Sequence, residues 1–205
     1  MTGQARAART RHHLVHNAAT EIASRGYDGT SFARVCGAAG VTMGALTFHF
    51  PTKALLGQAV CAAGIEATRT AVEEADRRAD SALQSVGGIV RALAELLGSR
   101  PEVRATARLS REQPSLRVNW RTYWFPLIHT RLQQAKERDQ LRPDTRPETA
   151  ALLVASLVAG LEAGLLPQPG EVLLLPPAPQ EPLAELWQLA LRGIGAVPDR
   201  TADVS

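Results

Sequence analysis

Apolar residues along this chain recur at three- and four-residue spacing, and no stretch alternates apolar and polar positions as a strand would. Leu14, Val15, Ala18, Ala19 and Ile22 share one stripe of a helix predicted over residues 9–25, ended by Arg25-Gly26-Tyr27 with Gly26 as a left-handed cap. Residues 1–10 read as a polar arm carrying Arg6 and Arg9. A long helix is expected from Lys53 to about Ala79, with Leu55, Leu56, Ala59, Val60, Ala63 and Ile65 apolar and the run Glu73 to Arg78 on a solvated face. Asp80-Ser81 caps the next helix, which carries Leu83, Val86, Ile89, Val90, Leu93, Leu96 and Leu97. Pro101 restarts a short helix over 102–109, and residues 113–115 form a loop. Further helices are expected through about residue 139, over 148–166 and over 181–194; a proline-rich connector, 167–182, has its Val172 to Leu175 held against the protein, and a loose tail follows. The pattern predicts an all-α chain of about nine helices.

Between the first helix and Lys53 lies the most informative stretch. Ser31 caps a short helix with Phe32, Val35 and Cys36 on its apolar face; Gly40 suits a position just past a helix end; Thr42 caps a second short helix running through Phe48. Helix, tight turn, helix is the unit that places its second helix in a DNA major groove, and it is equally a plain helical hairpin in a core. The small residues Thr42, Gly44 and Ala45, with Met43, let the second helix approach phosphates and base edges closely.

Charge favours the first reading. Residues 1–53 hold six Arg or Lys and two acids, +4; residues 54–205 hold 17 basic and 18 acidic groups, −1. The positive excess therefore coincides with the two-helix unit, as a DNA footprint requires. Composition adds little else. Cys36 and Cys61 sit on apolar helical stripes and read as buried thiols. His12 and His16 have the i, i+4 spacing of a metal pair, against the simpler reading of a solvated helix face. No Gly-rich phosphate loop, Ser/His/Asp or Cys/His constellation or paired carboxylates stand out, so no enzyme and no cofactor are expected. The longest apolar segment, 149–161, lies between Glu148 and Glu162 and is too short to span a bilayer; no secretory signal is read, and the expected location is the cytoplasm.

From Arg11 to Lys53 the positions of Leu14, Ala18-Ala19, Gly26-Tyr27, Thr30-Ser31, Val35, Ala39-Gly40-Val41-Thr42, Gly44-Ala45-Leu46 and Phe48-His49-Phe50-Pro51-Thr52-Lys53 resemble the N-terminal domain of the TetR family of repressors. The resemblance implies a three-helix DNA-binding domain over 1–53 and a helical ligand-binding and dimerisation domain over 54–205. It implies Lys53 as a phosphate clamp, His49 towards the backbone and Phe50 in the core; Arg6 and Arg9, on an arm that could follow the minor groove or backbone, and Thr30, Ser31, Thr42, Met43, Gly44, Ala45, Thr47 and Phe48 are the further DNA-contact candidates. Two positions depart from the family: Thr47 stands where a phosphate-touching Tyr is usual, and Met43 where a Lys or other polar residue is frequent.

A second stretch, 118–126, concentrates aromatic residues. Trp120 and Trp124, four apart, are expected on one helical face, either filling the core or lining a pocket between helices. Ala105 to Ser115, then Trp124 and the helix running to Asp139-Gln140-Leu141-Arg142, resemble the γ-butyrolactone autoregulator receptors of streptomycetes and their pseudo-receptor relatives. By that resemblance Trp124 covers the ligand; Trp120, which has no clear counterpart in those receptors, and Val90, Leu93, Leu97, Leu109 and Ile128 are the further ligand candidates. Two terminal apolar helices in a repressor imply a self-complementary dimer interface, with Leu157, Gly160, Leu161, Gly164, Leu183, Leu186, Trp187, Ala190 and Leu191 as candidates. The expectation is a dimeric repressor of double-stranded operator DNA, released by a small apolar effector, with no membrane partner and no metal. A helical ligand-binding protein with weakened DNA binding, or a multidrug-type repressor of the same family, are the alternatives.

Overall fold

The computed structural model describes residues 3–164 and 180–196, with side chains at all of them except residues 3, 164 and 180–184. Its helices are α1 (Gly3–Gly29), α2 (Phe32–Ala39), α3 (Met43–His49), α4 (Lys53–Arg77), α5 (Ala82–Ser99), α6 (Pro101–Glu112), α7 (Phe125–Glu137), α8 (Pro147–Gly164) and α9 (Gln180–Ile194), with 3-10 turns at Pro114–Leu116 and Trp120–Tyr123. The all-α expectation holds among the described residues. The connector 165–179, including Val172 to Leu175, and the tail from 197 lie outside them.

Two compact units divide the chain: residues up to 70 with Ser99–Tyr123, and Ala71–Gly98 with 124–164 and 180–196. This is a packing division, distinct from the functional boundary at residue 53 expected from the sequence.

In the first unit α1 packs on α2 and α6. Leu14, Val15, Ala18, Ala19, Ile22 and Ala23 meet Val35, Leu46, Phe50, Leu56, Val60 and Leu109 in one core. Two features differ from the sequence reading. The first helix begins at Gly3, so Arg6 and Arg9 stand exposed on α1 and not on an arm. Gly26 is not a left-handed cap: at φ 77°, ψ 174° it holds an extended conformation open only to glycine, kinking α1 so that Tyr27 turns into the core rim. A Cβ there would lie 2.8 Å from Arg108 Nη2 and 2.9 Å from Glu112 Oε2. Leu55, one of the apolar residues of α4, is 45% exposed, because the helix turns Leu56 and Val60 inward.

In the second unit α7 packs on α8. Leu141 bridges Gly195, with Arg142 N donating to Ile194 O at 2.9 Å and Ala196 N to Gln140 O at 2.9 Å, which ties the end of α9 to the turn after α7. The Gln140 side chain accepts from Leu83 N at 3.1 Å, adding the start of α5 to the same knot. Asp76, read from the sequence as part of a solvated face, accepts from Arg131 Nε and Nη2 at 2.6 Å each and from Ser85 Oγ at 2.5 Å.

Candidate DNA-binding surface and effector region

The helix–turn–helix is built by local rules. Ser31 accepts from Arg34 N at 3.3 Å, fixing the start of α2. Gly40, at φ 63° and ψ 32°, ends it: Val41 N reaches Cys36 O at 3.1 Å and Gly40 N reaches Gly37 O at 3.4 Å, satisfying two orphan carbonyls. Thr42 then accepts from Ala45 N at 3.2 Å to start α3, and Thr52 accepts from Leu55 N at 3.2 Å to start α4. Leu46 and Phe50 bury the inner face of this segment, while Thr42, Met43, Gly44, Thr47 and Phe48 are exposed on the outer one.

Most expected DNA contacts are thus placed on an accessible surface. His49 and Ala45 are half-buried, and His49 meets the Phe48 ring edge-on at 5.2 Å. Lys53 holds its ammonium 4.4 Å from the centroid of the Tyr27 ring, at the start of α4. Tyr27 keeps its phenolic proton: burial first, then the Asp28 charge, raise its pKa. Thr30 is the exception. It is buried, and its hydroxyl donates to Gly26 O at 2.8 Å, closing the kink of α1 and leaving nothing for DNA. Thr47 donates its hydroxyl to Met43 O at 3.0 Å, with Gly44 O at 3.3 Å.

His16 acquires a partner from α6 that no local pattern announced. His16 Nδ1 lies 2.8 Å from Glu102 Oε1. Cys61 is buried, and that burial pushes its thiol up to about 11, so it stays protonated and unreactive. Among the described residues no group of three or more His, Cys, Asp or Glu could hold a metal ion.

The two tryptophans do not share a helical face. Trp120 lies in the 3-10 turn of the first unit, where its indole N–H donates to Thr68 Oγ1 at 2.8 Å, and its backbone N–H to Ser110 Oγ at 3.0 Å. Trp124 is the residue before α7 in the second unit. Pro126, at the second position of α7, fits only a helix start, which is why the i, i+4 pattern does not continue as one helix. Leu109 is likewise a core residue of the first unit. Of the ligand candidates, Val90, Leu93, Leu97, Trp124 and Ile128 remain in the second unit, all at most 1% exposed. None of them lines the open cleft of about 880 Å³ in that unit, which is walled by Glu74, Arg78, Gln84, Arg91, Gln140 and Trp187 among others.

Of the dimerisation candidates, Leu186 is 41% exposed, Gly160 is exposed, and Leu157, Ala190 and Leu191 are half-buried. Leu161 and Trp187 are buried within the protomer, Trp187 because its indole lies over Gly87, where a Cβ would come within 2.6 Å of Nε1. Neither offers surface to a partner. Gly164 and Leu183 lie outside the residues whose side chains are described. Further outward-facing leucines, beyond those candidates, are Leu152 and Leu189, each 61% exposed, and Leu153 at 38%. Periodicity names the apolar residues of a helix but not which are turned outward.

Residues 14–60 match the model for bacterial regulatory proteins of the tetR family, a span that includes α2 and α3. A solved structure concerned with the molecular basis for control of antibiotic production by bacterial hormones is 31% identical, covering 92% of this chain and 98% of its own, with a TM-score of 0.68. The chain belongs to the TetR family. Another structural relative, a γ-butyrolactone receptor (ArpA-like protein), is 27% identical, with 94% of this chain and 90% of that one covered and a TM-score of 0.73. CprB from Streptomyces coelicolor, in complex with its biological operator sequence, is 29% identical, with 94% and 91% covered and a TM-score of 0.75. No curated protein sequence matches the chain. This TetR-family regulator therefore resembles both butyrolactone receptors and a regulator seen on its operator. Among the described residues no helix is long and apolar enough to cross a membrane.

Proposed function

We propose that the protein is a dimeric, ligand-responsive transcriptional repressor of the γ-butyrolactone-receptor type, acting on genes of secondary metabolism. Residues 1–53 bind DNA, and residues 54–205 bind the effector and a second copy. Each copy lays α3 in a major groove, with Thr42, Met43, Gly44, Ala45, Thr47, Phe48 and His49 towards the bases and backbone. Ser31, Lys53, Arg6 and Arg9 meet phosphates, which fix the register. Two such helices reach successive grooves on one face of the duplex, so the operator is near-palindromic. The observation that carries this reading is the doubly capped α2–α3 unit, its outer face exposed on a segment of net charge +4.

The exposed leucines of α8 and α9 supply the dimer contact, since apolar side chains on such faces gain most by meeting a second copy. A small apolar effector, a γ-butyrolactone or an antibiotic or its intermediate, binds beside Trp124 with Val90, Leu93, Leu97 and Ile128. It favours a conformer whose two recognition helices no longer match the groove spacing. That requires unequal affinity for the two conformers, a coupling of about 1–3 kcal/mol. The turned-in hydroxyl of Thr47 supports one other reading, a helical ligand-binding protein with weakened hold on DNA.

Titrating the purified protein onto the intergenic DNA upstream of its own gene, against random DNA of equal length, separates the two. Tight, selective binding that weakens with salt and is reversed by an added γ-butyrolactone or antibiotic supports the repressor. Trp124→Ala then loses the release and keeps the binding. Binding no tighter than to random DNA, there and at every site of a genome-wide search, overturns it.

A further inference from the structure

Phe48 is 80% exposed and Met43 46%, both on the outer face of α3. Apolar side chains of this size gain nothing from water, so the face is built for an apolar contact. A Cβ placed at Gly44, between them in sequence, would meet no other atom within 4 Å. Glycine is therefore not required there by the protein's own packing, and its smallness leaves room for whatever docks.

The same face is poor in hydrogen-bond donors. It carries no Arg, Lys, Asn or Gln, the side chains that read base edges bidentately. Thr47 spends its hydroxyl proton on Met43 O and Gly44 O. Thr42, whose oxygen accepts from Ala45 N, keeps a single hydroxyl proton, and His49 is half-buried. In a B-DNA major groove the apolar feature presented by the bases is the thymine 5-methyl group. The +4 charge of residues 1–53 makes a polyanion the fitting occupant, against the apolar surface of another protein.

We infer that α3 specifies its site chiefly by packing Phe48 and Met43 on thymine methyl groups, with no bidentate side-chain hydrogen bond to a base edge. This rests on the reading of α3 as the DNA-facing helix. The operator half-site then carries thymines at the positions beneath α3, and discrimination there is of thymine from every base lacking the methyl.

The test begins with duplexes that the full chain itself selects from random-sequence DNA. Each is then remade with deoxyuridine for thymidine, which deletes only the methyl. Covering one methyl-sized group corresponds to about fourfold in affinity, so even a single covered methyl in each of two half-sites gives about fifteenfold weaker binding to the uracil duplex, and a second in each gives more. The double variant Met43→Ala/Phe48→Ala, altered only at exposed positions, binds the two duplexes alike. Equal affinity of the unaltered protein for both duplexes overturns the inference while leaving selective DNA binding standing. A uracil penalty that persists in the double variant overturns it too, since the penalty then belongs to the duplex. Failure to enrich any duplex removes the DNA-facing reading beneath it.

Discussion

The helix–turn–helix and the packing seams of this molecule are held by different kinds of contact. Between residues 31 and 52 the decisive hydrogen bonds span three residues or so: Ser31 to Arg34, Thr42 to Ala45, Thr52 to Leu55, and the paired bonds around Gly40. Elsewhere the decisive contacts span the chain: Gly64 against Glu102 and Thr106, Asp76 with Arg131, Trp120 with Thr68. Local contacts set where α3 starts and stops and leave its outer face unconstrained. Long-range contacts set whether each unit packs at all. Helix α3 can therefore vary its exposed residues, Thr47 and Met43 included, at little cost to the fold.

If that contrast is right, the largest loss comes from a seam glycine. A Cβ at Gly64 would overlap the Glu102 carbonyl oxygen and the Thr106 hydroxyl, and backbone cannot swing aside. Gly64→Ala should destabilise the protein by about 3 kcal/mol, read as a lowered denaturation midpoint. A change within a few tenths would show that α4 and α6 separate freely, and the contrast would fail.

Asp76→Asn comes next, at about 1–3 kcal/mol. The hydrogen bonds from Arg131 hold the Asp76 carboxyl below its ordinary range, with burial opposing them and the Ser85 hydroxyl assisting. A depressed folded-state pKa stabilises above the unfolded value of about 3.9, and that stability is lost as pH falls through the folded value. Acid titration of stability should therefore show parent and variant far apart at neutral pH and converging in acid. A constant gap across the range would assign the loss to packing alone.

The smallest loss is expected at a cap. Thr42→Ala removes one acceptor at the start of α3 and should cost about 1 kcal/mol by the same midpoint measurement. A loss as large as that of Gly64→Ala would mean the recognition helix is itself a seam.

The same contrast explains what could be read from the residues beforehand. Caps, the αL glycine and the apolar stripes of α1, α4 and α5 follow from neighbours in sequence, so helix order and the helix–turn–helix were legible. The Trp120–Trp124 pair was misread because Pro126 stops one helix short of the other residue, and only tertiary packing shows that Thr68 takes the Trp120 indole. Thr30 was expected to contact DNA; its hydroxyl instead closes a kink whose glycine conformation no spacing announces. Leu161 and Trp187 were apolar at helical spacing, as were the exposed Leu152 and Leu189; what distinguishes them is which neighbour each helix turned towards.

The central claim, that two copies place α3 in successive major grooves, is tested most directly by hydroxyl-radical footprinting on a duplex the protein selects. Two protected patches related by a dyad are expected, on one face of the duplex and one helical turn or slightly more apart. A single patch, or protection spread evenly around the duplex, would contradict it.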